Sequence, residues 1–128
     1  MKPSDYFFVK GSDVKAEEVK SVEGQKEEGL LTIKTLIVGE NTLILEVFRR
    51  KGLIDPLHKH TDHESACYLI KGKLKLVIGR KELIAEPGSA WIHPVNLEHY
   101  SEALEDCLQV EVKSPPRKTW ISQISLYK

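Results

Sequence analysis

From Leu30 onward the chain is a succession of short apolar, β-branched runs, each closed by a turn signal. The runs are Leu30 to Val38, Thr42 to Arg49, Cys67 to Ile70, Lys73 to Ile78, Leu83 to Ala85, Ala90 to Ile92 and Cys107 to Val112. Between them lie Gly39-Glu40-Asn41, Lys51-Gly52, Lys71-Gly72, Gly79-Arg80 and Pro87-Gly88. Strands this short, with turns roughly every eight to twelve residues, build antiparallel sandwiches or small barrels and leave no room for crossover helices. The expected fold class is therefore all-β. At Lys73-Leu74-Lys75-Leu76, charge and leucine trade places at period two, which requires one wet face and one dry face.

With 128 residues, 41% of them hydrophobic, the chain can close one core and not two. We divide this single domain into a barrel core at about residues 30–113, a lead-in at 1–29 and a tail at 114–128. The stretch from Ser12 to Gly29 is charged, with Val14, Val19 and Val22 as its apolar points, and a helical turn is expected around Ala16 to Lys20. Ser114-Pro115-Pro116-Arg117 ends the strand pattern, because proline cannot donate to a ladder. The alternation of Ile121, Ile124 and Leu126 beyond it fits either an edge strand or a short helix.

The 19 basic residues balance the 19 acidic ones, so no overall field draws the protein to nucleic acid or an anionic membrane. A partner must be recognised locally, as a small molecule is. Cys67 and Cys107 are too few for a disulfide framework and are expected as reduced thiols. No apolar run reaches the roughly 18 residues of a membrane span, and none near Met1 serves as the core of a signal peptide. A cytoplasmic location is expected.

Gly52-Leu-Ile-Asp-Pro-Leu-His58-Lys-His60-Thr-Asp-His63-Glu64 is the most informative stretch. Residues two apart on a strand share a face, so His58 and His60 stand side by side, about 6 to 7 Å apart at their Cα atoms. Alone, such a pair is as often ordinary polar surface as a metal site. Glu64 follows within reach, however, and Pro87-Gly88-Ser-Ala-Trp-Ile-His93-Pro94-Val-Asn96-Leu-Glu-His99 later places another histidine after a turn, at the start of a strand. Imidazole and carboxylate together suit Zn, Ni, Mn or Fe better than calcium.

These two stretches resemble the two motifs of the cupin superfamily, here in the form of a small single-domain, RmlC-like cupin. Gly52, His58, His60, Glu64 and Gly72 fill the first motif with one residue too many before the last glycine. Gly88, Pro94 and His99 fill the second, with Asn96 standing for its glycine and Ala103 for its asparagine. Asn is the non-glycine residue that best tolerates a left-handed backbone. The resemblance implies a cupin double-stranded β-helix, or jelly-roll barrel, holding one divalent transition metal on His58, His60, Glu64 and His99. The extra residue leaves two registers open: a bulge turns Glu64 inward, or Ser65 faces the metal and three histidines hold it with water.

Several neighbours carry expectations of their own. His63 is either a solvated loop residue or a pocket group, acting as a further nitrogen donor or a catalytic proton shuttle. His93, extended before Pro94, is either structural or pocket-lining. Cys67 shares the face of Ser65 and is expected to be buried, with Tyr68 turned the other way. Trp91 and Trp120 are expected as packing anchors, and the direction of Arg49, a possible carboxylate partner, is undecided. The cupins that the chain resembles include metal-dependent enzymes on small oxygen-rich metabolites such as sugar acids, working by isomerase or lyase chemistry, some on unsaturated uronates. They also include non-catalytic binding proteins and Fe(II) dioxygenases. In such proteins a segment like Tyr6-Phe7-Phe8-Val9 pairs across a homodimer, which is the assembly expected here.

Overall fold

A computed structural model describes residues 1–116. A 3-10 turn, Gly11–Asp13, precedes the strands β1 (Glu17–Glu18), β2 (Ser21–Val22), β3 (Gln25–Lys26), β4 (Leu31–Val38), β5 (Leu43–Arg49) and β6 (Ile54–His58). Then come β7 (Glu64–Lys71), β8 (Leu74–Ile78), β9 (Lys81–Ala85), β10 (Ala90–His93), β11 (His99–Ala103) and β12 (Cys107–Ser114). Six strands form one sheet in the order β1-β4-β5-β12-β7-β10, four form a second in the order β6-β11-β8-β9, and β2 and β3 make a separate hairpin. All pairings between these strands are antiparallel. The result is an all-β jelly-roll barrel whose two sheets bury their inner faces against each other.

Much of the interior is apolar. Leu43, Leu69 and Leu74 are fully buried, with Leu45, Val47 and Leu76 nearly so. On β8 the alternation behaves as expected, since Leu74 and Leu76 point in and the lysines lie outside. Gly72, at φ 99°, allows the tightest approach in the barrel: a Cβ there would meet Asp106 O and Cys107 Cα well inside contact distance.

The lead-in departs from expectation. In place of a helical turn around Ala16 to Lys20, Glu17 and Glu18 pair with Ile33 and Thr32 of β4 as an added edge strand. Val19 and Val22 are buried in the main core. The spacing of these valines lets an extended chain dip twice into the barrel, and tertiary burial overrides the weak helix preference of the charged residues around them. Residues 6–9 form no strand within the single chain. Tyr6 donates its hydroxyl to Leu36 O at 2.7 Å, while Phe7 and Phe8 stand in solvent. The expectations for Trp120 and for the alternating tail after Arg117 lie outside the described residues.

Candidate metal centre

All five histidines of the chain are buried, and their rings form one continuous cluster. His58 closes β6 and pairs directly with His99 at the start of β11, which is how two distant stretches of sequence meet. His60 lies two residues beyond His58 on the same inward face, with Lys59 outside. Asn96 sits at φ 66°, the left-handed geometry expected where the cupin motif has glycine, and carries the turn that delivers His99. One potential ligand atom from each of His58, His60 and His99 lies within 4.8 Å of the other two.

The outward nitrogens decide how these rings are presented. Nδ1 of His58 donates to Pro56 O at 2.7 Å, that of His99 to Leu97 O at 3.3 Å, and that of His60 to the carboxylate of Glu23 at 2.9 Å. With each Nδ1 engaged, Nε2 is the atom of each ring left to face an ion, the arrangement that metal-binding histidines show. Burial pushes His60 far below its ordinary value, helped by the charge of Lys113, and holds His99 down at about 3, helped by His93. Both imidazoles are therefore neutral at physiological pH, the state a metal requires.

Glu64 does not join them. It is exposed on the outer face, and the pairing of β7 shows why. Glu64, Ser65 and Ala66 face Ser114, Lys113 and Val112 in unbroken register, whereas Leu69 pairs with Gln109 and Lys71 with Leu108. The surplus residue of the first motif is thus absorbed at Ile70, next to Gly72, and the alternation upstream leaves Ser65, Cys67 and Leu69 inward. Ser65 therefore faces inward and Glu64 outward, which corrects the inward carboxylate expected at Glu64. Tyr68 faces out and Cys67 in, as expected. Both cysteines are free thiols, and burial raises that of Cys67 well above its usual value.

Beside the histidines lies a row of buried polar groups that the sequence reading missed. Gln109, Glu111 and Lys113 of β12 point inward while Leu108, Val110 and Val112 turn out. The Lys113 ammonium meets three acceptors: Glu111 Oε2 at 2.8 Å, His63 Nε2 at 3.0 Å and Ser65 Oγ at 3.1 Å. Burial alone would raise Glu111, but the ion pair with Lys113 outweighs it and holds the carboxyl well below the usual range. His63 is fully buried, not solvated, and is lowered by burial and by Lys113. Its Nδ1 donates to Asp62 at 2.7 Å, so both of its nitrogens are occupied. Arg49 also turns inward, donating to Gln109 at 3.0 Å and Ser101 at 3.3 Å, with Asp55 at 3.9 Å. His93 stacks on His99 at 3.9 Å between centroids and accepts from Trp91 Nε1. That leaves its own buried Nδ1 without a partner. Burial, with the charge of nearby Asp55, raises the carboxyl of Glu27 to about 10, and both of its oxygens are buried without a hydrogen-bond partner.

One cavity, about 470 Å³ including its open mouth, joins these parts. Its polar wall carries His58, His60, His99, Arg49, Glu111 and Lys113, and its apolar wall includes Val19, Val22 and Ile33. The donor set fits a divalent transition metal: three pre-oriented imidazoles on one wall of an open cavity, with coordination positions left over.

A cupin-domain family model matches residues 44–112. The chain belongs to the cupin family. Its fold is similar to an RmlC-like cupin from Shewanella frigidimarina, at 18% identity over 92% of this chain and 97% of that one, with a TM-score of 0.79. It is similar also to the polyketide cyclase RemF from Streptomyces resistomycificus, at 22% identity over 88% and 81% of the two chains, with a TM-score of 0.74. A third likeness is to KdgF from Halomonas sp., at 24% identity over 69% and 81%, with a TM-score of 0.66. At these identities the structures establish the fold and no more. No curated protein sequence matches the chain. Among the described residues no helix is long and apolar enough to cross a membrane.

Proposed function

We propose that the chain is a metal-dependent cupin enzyme acting on a small, oxygen-rich, anionic metabolite such as a sugar acid, by isomerase or lyase chemistry. The observation that carries this reading is the convergence of His58, His60 and His99 with their Nδ1 protons all engaged elsewhere. A bound Zn, Ni, Mn or Fe ion would supply Lewis acidity towards a carbonyl or hydroxyl oxygen. Arg49, inward and lining the cavity, suits a ligand carboxylate. Glu111, held ionised by Lys113 and open to the cavity, is the group placed to take a proton from the ligand. His63 does not line the cavity, and its part is to hold and polarise Lys113 from behind.

The reading as an Fe(II) dioxygenase with two histidines and a carboxylate loses support because Glu64 points outward. A non-catalytic binding protein needs the same imidazoles without Glu111 as a base. The homodimer remains part of the proposal, supported by an outer sheet face on which Tyr68, Ile70 and Ile92 are about half exposed. Sedimentation of the purified protein tests it.

The deciding experiment is elemental analysis of gently purified protein and of its His60→Ala and His99→Ala variants, followed by anaerobic turnover of unsaturated uronates and related sugar acids. One equivalent of transition metal in the parent and little in either variant supports the site. Loss of turnover in Glu111→Gln with metal retained supports the base. A parent without metal removes the proposal, and tight ligand binding without product turns it into the binding protein.

A further inference from the structure

The β2–β3 hairpin stands outside both sheets, yet it contributes to the metal site. Its two turn residues, Glu23 and Gly24, lie at φ 51° and φ 78°. Two consecutive positive φ values in a two-residue connection mark a type I′ turn, whose first position favours Asn, Asp or Gly. A glutamate there is an unusual choice that sacrifices local stability, and backbone strain of this kind concentrates where a side chain is needed for something else. Here the side chain folds back into the barrel, mostly buried, and its Oε2 accepts from His60 Nδ1 at 2.9 Å.

The surrounding segment follows it inward. Val19 and Val22 form part of the cavity wall, the buried carboxyl of Glu27 feels the charge of Asp55 next to His58, and Glu28 exchanges backbone hydrogen bonds with Ile54 at 3.1 and 2.9 Å. His58 and His99 are oriented by carbonyls of their own loops, two residues away. His60 is oriented by a charged group 37 residues distant. A carboxylate acceptor makes a stronger bond than a neutral carbonyl, and a bonded imidazole is both fixed in direction and made a better ligand.

Resting on the metal reading above, we propose that Glu23 is a positioning residue for His60, and that through this bond the docking of the Ser21–Lys26 hairpin and the loading of a divalent transition metal form one linked equilibrium. A cation on Nε2 polarises the ring and strengthens the Nδ1–H bond to Glu23, and a docked Glu23 strengthens the ligand. The coupling is equal in both directions, as any binding linkage must be. The lead-in is thereby part of the site and reports its occupancy.

The test uses the full chain stripped of metal and titrated with Zn²⁺ against a chromophoric chelator. Hydrogen exchange is followed by mass spectrometry over residues 19–28, with and without zinc. Glu23→Ala is expected to weaken zinc about 10- to 100-fold. Glu23→Gln, whose amide oxygen still accepts from Nδ1, should recover part of that loss. Zinc should slow exchange in the hairpin of the parent and of Glu23→Gln, and leave Glu23→Ala unchanged there while β12 stays protected in all three. Equal zinc affinity in the parent and Glu23→Ala, or a hairpin whose exchange ignores zinc in the parent, overturns the proposal. A parent that binds no zinc or other transition metal overturns the metal reading itself, which keeps the two failures distinct.

Discussion

Strands β8 and β12 carry the same period-two pattern and point it in opposite directions. On β8 the leucines of Lys73-Leu74-Lys75-Leu76 face the core and the lysines face water. On β12 Gln109, Glu111 and Lys113 face the interior, and Leu108, Val110 and Val112 face out. The two strands belong to different sheets around one interior. The contrast teaches that one interior carries two linings side by side, since Leu45 and Val47 of β5 pair with Glu111 and Gln109 of β12. The apolar lining is stabilised by burial. The polar lining is stabilised because its charges satisfy one another, and that is where chemistry can occur.

The sharpest way to break the comparison is to unpair the polar lining. Lys113→Met leaves the buried Glu111 without the counter-charge that holds it ionised, and should cost about 3–5 kcal/mol in urea unfolding. The double variant Lys113→Met/Glu111→Leu, which removes both charges, should regain most of that, and a double variant no more stable than the single one would show that the pair is not what matters. In the apolar lining Leu74→Ala should cost about 2–5 kcal/mol through lost burial and a cavity, with no recovery available from any charge change.

Acid should separate the two linings further. His60, His63, His93 and His99 are all lowered in the folded chain, His93 to about 4 and His99 to about 3. Below about pH 6.5 the unfolded chain takes up protons that the folded chain refuses, so metal-free stability falls as pH drops from there toward 3 and levels off once the folded pKa values are passed. Unfolding titrations at several pH values should show this fall, absent if the cluster is open to water. Metal retention should follow the lowered values, persisting well below the ordinary imidazole range. The smallest effect belongs to the outer face of β8. Lys75→Ala, which breaks only the exposed pair with Glu82, should change stability by less than about 1 kcal/mol.

Much of the fold was legible because turn chemistry and period two are local signals, and the strand boundaries of β4, β5 and β8 follow the sequence reading closely. His58, His60 and His99 were legible because motif spacing encodes a shared face. The direction of β12 was not, since alternation is unchanged by a one-residue flip and only tertiary context chooses the inner set. Glu64 was misplaced for a related reason. Counting shows that an extra residue exists but not where the ladder discards it, and the answer, Ile70, depends on the pairing of β7 with β12. Glu23 left no trace in any window, because its contact with His60 crosses 37 residues, most of them ahead of the first motif, although a Glu-Gly pair between two short polar runs does mark a tight turn.

Enclosing every imidazole within the barrel has a consequence for the exterior. Both thiols are buried as well, so the outer surface of the described residues carries no side chain that ordinarily gains or loses charge between about pH 5 and 8. The chain's formal charge is zero at neutrality, so its electrophoretic mobility there should be small. With no long-range repulsion to tune, short-range apolar contact decides how two molecules of this protein approach each other in solution.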